Sequence, residues 1–458
     1  MNILKPNDIH SAIIPLYYFS RLLGLASYKF EKPIVRSSSP NRSRNEDSGR
    51  QFGTCKCAVL YSTLVLLALL GWLVYYLVMK ILHDFVDVKV TYIVTQVMTL
   101  CLSAATTMIS LGLELTINRK RMEKVMLKLY QVDKILNMDS NSAYKSVRHF
   151  VMFELVLSVI LLVARHGYEL WSRGGQEYSS VVVRFIIHIM STIMIVQFVT
   201  FIYILKQRFG CMNDILADLG GIDDRCLNLE QGKLTSSEHR LGISSLNDTS
   251  VLPQTESTPI SHTHNPILVP DTEISKLHLG ISPSRFKSHC LSQGVSNIHT
   301  LSYVHMLLYD IGQLVNLLYG LQVLLAMAYV FMSVVKYFHV VLMTDDGPDH
   351  EEKSVFKVTG VVALVCTVSI HVANLLWVTA ACNMACSEAH RTAVVINKLL
   401  LIQPLAAVAT AELQLFSQQL LHSKLQFTAF GFFNLDFTFL YGFVGGTTTY
   451  IVILLQFQ

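Results

Sequence analysis

The chain has 458 residues, 52% of them hydrophobic and only 15% charged, with 36 Lys and Arg against 32 Asp and Glu. A soluble globular domain carries about 25% charge. Here the charges fall in blocks, separated by uncharged runs long enough to cross a bilayer, which takes about 20 apolar residues. That pattern excludes a soluble enzyme, a disordered scaffold and a nucleic-acid-binding module, and the formal charge of +4 is too small to name a partner.

In chain order, the first 55 residues lack the apolar core of a cleavable signal peptide. An apolar stretch at 11–25, carrying Arg21, is expected at the inner membrane interface. Seven spanning runs follow, at 57–79, 90–113, 150–170 (which contains Glu154 and Arg165), 185–205, 311–335, 358–387 and 437–458. In hydrocarbon only helices and closed barrels satisfy their own backbone, and barrel strands alternate over about ten residues. Continuous runs of this length therefore predict an all-α membrane protein with seven transmembrane helices. Segments 206–219 and 286–310 read as helical extensions of the fourth and fifth spans into the cytosol. The stretch 223–284 between them is rich in Ser, Thr and Pro and reads as a disordered insertion. After the sixth span, 388–435 shows apolar residues at helical spacing interrupted by Pro404. Apolar stripes on such inner helices need a partner surface, and self-association supplies one.

Lys and Arg set the orientation. The segment before the first span holds Lys5, Arg21, Lys29, Lys32, Arg36, Arg42, Arg44, Arg50 and Lys56. The segment between the second and third holds Arg119, Lys120, Arg121, Lys124, Lys128, Lys134, Lys145 and Arg148. Both are expected inside, which places the N-terminus in the cytosol and the C-terminus outside, inverted relative to a G-protein-coupled receptor. The outer segments are then 83–89, 167–180 and 344–353. None of the nine cysteines lies in them, so no extracellular disulfide framework is expected. The resulting divisions are a cytosolic segment at 1–56, helices one to four at 57–205, inner extensions and insertion at 206–310, helices five and six at 311–387, inner anchor helices at 388–436 and the last helix at 437–458.

No phosphate-binding glycine loop occurs, and His262 and His264 lack partners at metal-ligand spacing, so neither enzyme activity nor a cofactor or metal is expected. Polar side chains inside spans are costly and face the interior or a water-filled cavity. Gln96, Glu169, Arg184, His188 and Tyr329 fall in the outer half, with His371 and Trp377 deeper on the sixth span, read there as sharing one face. Aromatic faces with a few hydrogen-bonding groups describe a small-molecule pocket, and these seven are the candidate ligand-binding residues.

The C-terminal run joins Phe427-Thr-Ala-Phe-Gly-Phe-Phe-Asn-Leu-Asp436 to a helix that ends in Thr449-Tyr450, five apolar residues, then Gln456-Phe457. This resembles the signature of insect gustatory receptors, a family whose seven helices, inner N-terminus and long inner helices agree with the reading above. The segment Gln293-Gly-Val-Ser-Asn-Ile-His299 is similar to the broadly expressed bitter- and warmth-associated branch. Ile451 stands where sugar-sensing branches often carry Glu. The resemblance implies a ligand-gated non-selective cation channel in the plasma membrane of sensory neurons, opened by a bitter-type, nucleoside-like or sugar-like tastant. It implies a homotetramer, or a heteromer with other gustatory receptors in which this chain is an accessory subunit. It also implies a pore lined by the seventh helix, conducting monovalent and divalent cations, with Thr449, Tyr450, Ile453, Gln456 and Phe457 as pore and gate residues. Membrane lipid is the remaining partner, and no nucleic acid is.

A tag after Gln458 should therefore be labelled on intact cells, whereas one at Leu252 should be labelled only after permeabilisation. Labelling at Leu252 without permeabilisation would reverse the topology and revive the G-protein-coupled alternative.

Overall fold

The structure, a computed structural model, describes residues 8–30, 52–54, 56–84, 90–137, 141–172, 178–219, 284–343, 350–402 and 407–456. The insertion at 223–284 except its last residue, Pro404, Phe457 and the tips of all three outer segments lie outside the described residues. Helix α1 is Ile9–Leu22, and strands Tyr28–Phe30 and Phe52–Thr54 pair antiparallel as β1 and β2. The spanning helices are α2 (Lys56–Asp84), α3 (Val90–Leu113), α5 (Asn141–Ser172), α6 (Tyr178–Leu219), α7 (Ser284–Met343) and α8 (His350–Ile402). Among the described residues six helices are long and apolar enough to cross a membrane. A shorter apolar helix, α10 (Phe437–Gln456), comes last.

Helix α3 does not stop at the end of its apolar run. A π-helical turn, Glu114–Asn118, carries it into α4 (Arg119–Ile135), the polar continuation of the same rod. The sequence around the turn is amphipathic rather than apolar, and α4 buries Met122, Val125, Met126, Leu129 and Val132 while its Lys and Arg face outward. Helix α1 packs on the bundle. Its apolar face, with Ile13, Leu16 and Tyr17, is buried against α5 and α6, and Gln197 of α6 donates to the Ser20 hydroxyl at 2.6 Å.

Helix α6 is the hub, in contact with α3, α5, α7 and α8. Phe198, Val199, Ile202, Leu205, Phe209 and Met212 are buried along its whole length. Helix α2 is the opposite case, exposing Leu60, Leu64, Leu67, Val74 and Val78. Lipid tails are as apolar as leucine, so an exposed leucine row is at no disadvantage in a bilayer.

The stretch 388–435, read from sequence as helix, is helical only in part. Helix α9 (Ala407–His422) gives way to a compact loop, closed by a bridge between Thr428 and Asn434. The loop turns where Phe430 and Gly431 adopt positive φ values of 52° and 81°, which a helix cannot contain. It docks on α7. Asn316 accepts from the Thr428 backbone N–H at 2.9 Å and donates to the Thr428 hydroxyl at 3.2 Å. One turn on, a methyl group at Gly320 would stand 3.2 Å from the Phe430 nitrogen. Asp436 then caps α10 by accepting from the Thr438 N–H at 2.9 Å.

At the inner end of the spans Arg208 is fully buried. Its Nε donates to Asp133 Oδ1 at 2.8 Å and its Nη2 to Oδ2 at 3.2 Å, while the Tyr144 hydroxyl donates to Oδ2 at 2.9 Å. This ties α4, α5 and α6 together. Asp133→Ala leaves an uncompensated guanidinium and should cost about 3–5 kcal/mol, read as a lower melting temperature and lower surface level. Asp133→Leu combined with Arg208→Met should recover much of that loss, because the buried charge is gone. A double variant no better than Asp133→Ala would refute a primarily electrostatic role.

Candidate ligand site and pore helix

Three helices meet in one hydrogen-bonded cluster, and a fourth joins it through a ring contact. On α5, residues 166 and 169 are one turn apart, as are 184 and 188 on α6, so each helix presents two polar groups to the same neighbour. Arg184 Nη2 donates to Glu169 Oε1 at 2.9 Å, and His166 Nδ1 lies 3.3 Å from Glu169 Oε2. His166 Nε2 is 2.9 Å from His188 Nδ1, and His188 Nε2 is 2.9 Å from the Tyr329 hydroxyl of α7. The Tyr329 ring meets the His371 ring of α8 edge-on, at 5.5 Å.

The donor in each of the two histidine contacts depends on the tautomer. The Arg165 guanidinium, which can only donate, lies within electrostatic range of the Tyr329 and Tyr337 hydroxyls.

Around the chain several buried polar atoms find no hydrogen-bond partner among the described residues, namely Gln96 Oε1, Arg165 Nε, His166 Nδ1, Arg184 Nε, Ser333 Oγ and His371 Nε2. Buried polar groups are ordinarily paired, so this concentration marks a place for a polar guest. Helix α3 closes the side, where Thr107 lies 3.2 Å from the Ser191 hydroxyl and donates to the Ile187 carbonyl at 3.3 Å, and Thr99 donates to the Met332 carbonyl at 3.4 Å.

Of the seven ligand candidates, the structure brings Glu169, Arg184, His188, Tyr329 and His371 together, with Gln96 on the bordering α3. Trp377 is elsewhere. Its indole donates to Glu154 Oε1 at 2.8 Å and lies beside Phe150. Six residues along a helix amount to about 120° of rotation, so His371 and Trp377 do not share a face. Arg165, His166, Ser333 and Tyr337 join the cluster although they were not among the candidates. Arg165 and His166, polar side chains in the outer half of the third span, carried a signal in sequence, and Ser333 and Tyr337 did not.

Helix α10 packs on α7 by one face. Phe331 meets Phe443 and Tyr450, both at 6.0 Å and edge-on, and lies against Gly446. Thr449, Ile453 and Gln456 fall on the face away from α7 and are exposed, whereas Tyr450 is turned inward onto Phe331. The Thr449 hydroxyl donates back to the Gly445 carbonyl at 2.9 Å, which leaves its lone pairs outward.

The family model described as 7tm Chemosensory receptor matches residues 13–458, and the chain belongs to that family. It is 30% identical to gustatory receptor 28b of Drosophila melanogaster over 154 residues, 34% of this chain and 33% of that receptor. It is 28% identical to gustatory receptor 2a of the same species over 172 residues, 34% of this chain and 40% of that one. With the gustatory receptor for bitter taste 66a, also of Drosophila melanogaster, it shares 27% over 167 residues, 35% of this chain and 30% of the receptor. The alignments thus span about a third to two fifths of each relative. The insect olfactory receptor OR5 from Machilis hrabei has the same fold, with a TM-score of 0.61 at 11% identity, over 97% of this chain and 98% of that one. The same receptor in complex with eugenol gives a TM-score of 0.50 at 12% identity, over 98% and 99% of the two chains. The resemblance to insect gustatory receptors read from the last helix is borne out, and the family is one of receptors, not enzymes.

Tyr329→Phe removes the hydroxyl partner of His188 and should destabilise the purified receptor by about 1–3 kcal/mol for a buried polar group left unpaired, read as a lower melting temperature. His166→Gln cuts the same chain one link away, so the double variant should lose less than the sum of the two. Additive losses would mean that the four groups do not act as one unit.

Proposed function

We propose that the protein is a gustatory chemoreceptor of the plasma membrane of sensory neurons, working as a ligand-gated non-selective cation channel. Four copies assemble around an axis lined by α10, and a small-molecule tastant of the bitter type opens the pore from the α5–α6–α7–α8 site. The name of the relative 66a and the complex of the olfactory receptor with eugenol favour a small organic ligand.

The observation that carries the reading is the exposed face of α10. A helix that presents Gly442, Gly445, Thr449 and Gln456 on one side is ill-suited to lipid, where polar groups go unsatisfied. The same face suits a water-filled path enclosed by further copies. Ile453, one turn from Gln456, supplies an apolar ring that gates by excluding water, beside an amide ring that replaces part of an ion's hydration.

Helix α7 connects the two sites. Tyr329 and Phe331 are two residues apart, about 200° around the helix. The first side chain therefore enters the ligand cluster, and the second bears on Phe443 and Tyr450 of the pore helix. A guest that shifts or rotates α7 displaces Phe331 and, with it, the gate.

The test is whole-cell current from this chain expressed alone, under a panel of bitter compounds, sugars and nucleosides. Gln456→Ala should change relative cation permeabilities, Ile453→Ser should raise current without ligand, and Phe331→Ala should reduce the maximal ligand current while leaving surface level unchanged. Unaltered permeability, leak and maximal current in all three would remove α10 from the conduction path. Current that appears only on co-expression with another gustatory receptor would make this chain an accessory subunit.

A further inference from the structure

The ligand cluster is unbalanced in charge. Arg165 on α5, Arg184 on α6 and Lys336 on α7 converge there, and Arg165 and Lys336 both lie within electrostatic range of His188 and His371. The acid that meets them is Glu169, whose oxygens are taken by Arg184 at 2.9 Å and by His166 at 3.3 Å. Arg165 lies within electrostatic range of the Tyr329 and Tyr337 hydroxyls, and Lys336 sits over the Tyr337 ring at 4.4 Å. Among the described residues neither forms an ion pair with a carboxylate. Arginine stays protonated even when buried, and a buried charge is costly until an opposite one joins it.

The polar atoms left over have matching chemistry. Arg165 Nε is a donor, the Ser333 hydroxyl can donate, and His371 can present Nε2–H. Ser333 is 1% exposed and His371 5%, so water satisfies neither from outside. Ser333 follows Tyr329 by one turn of α7 and precedes Lys336 by nearly one more, which puts all three on one side of the helix. The aromatic rings of Tyr329 and Phe185, the latter edge-on to His166, supply apolar walls.

We propose that the site recognises a small organic anion, its carboxylate paired with Arg165 and Lys336 and hydrogen-bonded by Ser333 and His371, its apolar body against the aromatic rings. This rests on the reading of the cluster as the receptor's ligand site, and it narrows the ligand class from any small organic molecule to an acid. The Glu169–Arg184 pair is the complement of that selectivity. It keeps Glu169, the neighbouring carboxylate among the described residues, occupied by Arg184, so that it does not neutralise Arg165.

The experiment uses purified full-length receptor in detergent and follows thermal unfolding. The probes are benzoate and hexanoate, set against benzamide and hexanamide, with sodium chloride titrated separately. A saturable rise in melting temperature is expected from the carboxylates, with none from the amides. Arg165→Gln should weaken the apparent affinity about ten- to hundredfold, and Arg165→Lys should retain part of it. If Arg165→Gln does not fold, Ser333→Ala removes one donor and no charge, and should weaken affinity about two- to tenfold. Equal stabilisation by acids and amides, or no response to either acid, overturns the proposal. Stabilisation by chloride that the carboxylates do not exceed assigns the site to an inorganic ion and also overturns it. Because unfolding is read without current, the two readings fail separately. Carboxylate binding in a chain that never conducts removes the channel and keeps the anion site, whereas current evoked by neutral tastants without carboxylate binding does the reverse.

Discussion

The hydrogen bonds that run from His166 through His188 to Tyr329, with Arg184 on Glu169 beside them, exist because hydrocarbon offers those groups nothing else to bond. In water each would be satisfied separately and the three helices would have little reason to prefer one another. Inside a bilayer, apolar surfaces give no hydrophobic drive between helices, so packing and polar contacts choose the partners. The same constraint explains Trp377 on Glu154, which joins α8 to α5, and at the inner end of the bundle buried Arg208 on Asp133 joins α6 to α4. Each links helices distant in sequence, and each carries a large penalty if half of it is lost.

Helix α7 is where these constraints are coupled. At 60 residues it is about 90 Å long, and different parts of it serve different partners. Asn316 and Gly320 hold the loop that launches α10, Phe331 supports the middle of α10, and Tyr329 and Ser333 border the polar cluster. A stiff rod that touches α10 at its root and at its centre couples that helix mechanically to the polar cluster. The loop from 423 to 436 has a geometric role in this. Its positive-φ turn at Phe430 and Gly431 fits only where Gly320 leaves room for its backbone.

The N-terminal helix adds a second support. Ser20 receives a hydrogen bond from Gln197, and the Tyr319 hydroxyl of α7 donates to the same amide at 3.3 Å. Helix α1 is thereby linked to both the hub helix and α7. Below it, the Ser27 backbone donates to Glu114 at the π-helical turn. A π-turn leaves main-chain groups without their regular helical partners, and here the extra residue aims Glu114 and Asn118 inward, where Asn118 donates to the Leu318 carbonyl of α7 at 3.2 Å.

By itself the sequence determined the spanning runs, since a bilayer demands a minimum length of apolar helix and little else meets it. The second run, at 90–113, coincides with α3, and the last begins at Phe437 as α10 does. The family too was legible, in the Thr-Tyr and Gln-Phe pairs that frame five apolar residues of the last helix. Helical period states which residues of one helix share a face, but not which neighbour that face meets. Tertiary structure alone therefore sent His371 to Tyr329 and Trp377 to Glu154, turned Tyr450 away from Thr449, and raised Arg165, His166 and Ser333 into the ligand cluster. The π-turn and the loop at 423–436 were invisible for a related reason. Both are local departures from regular geometry, held in place by contacts with α7 more than a hundred residues away in the chain.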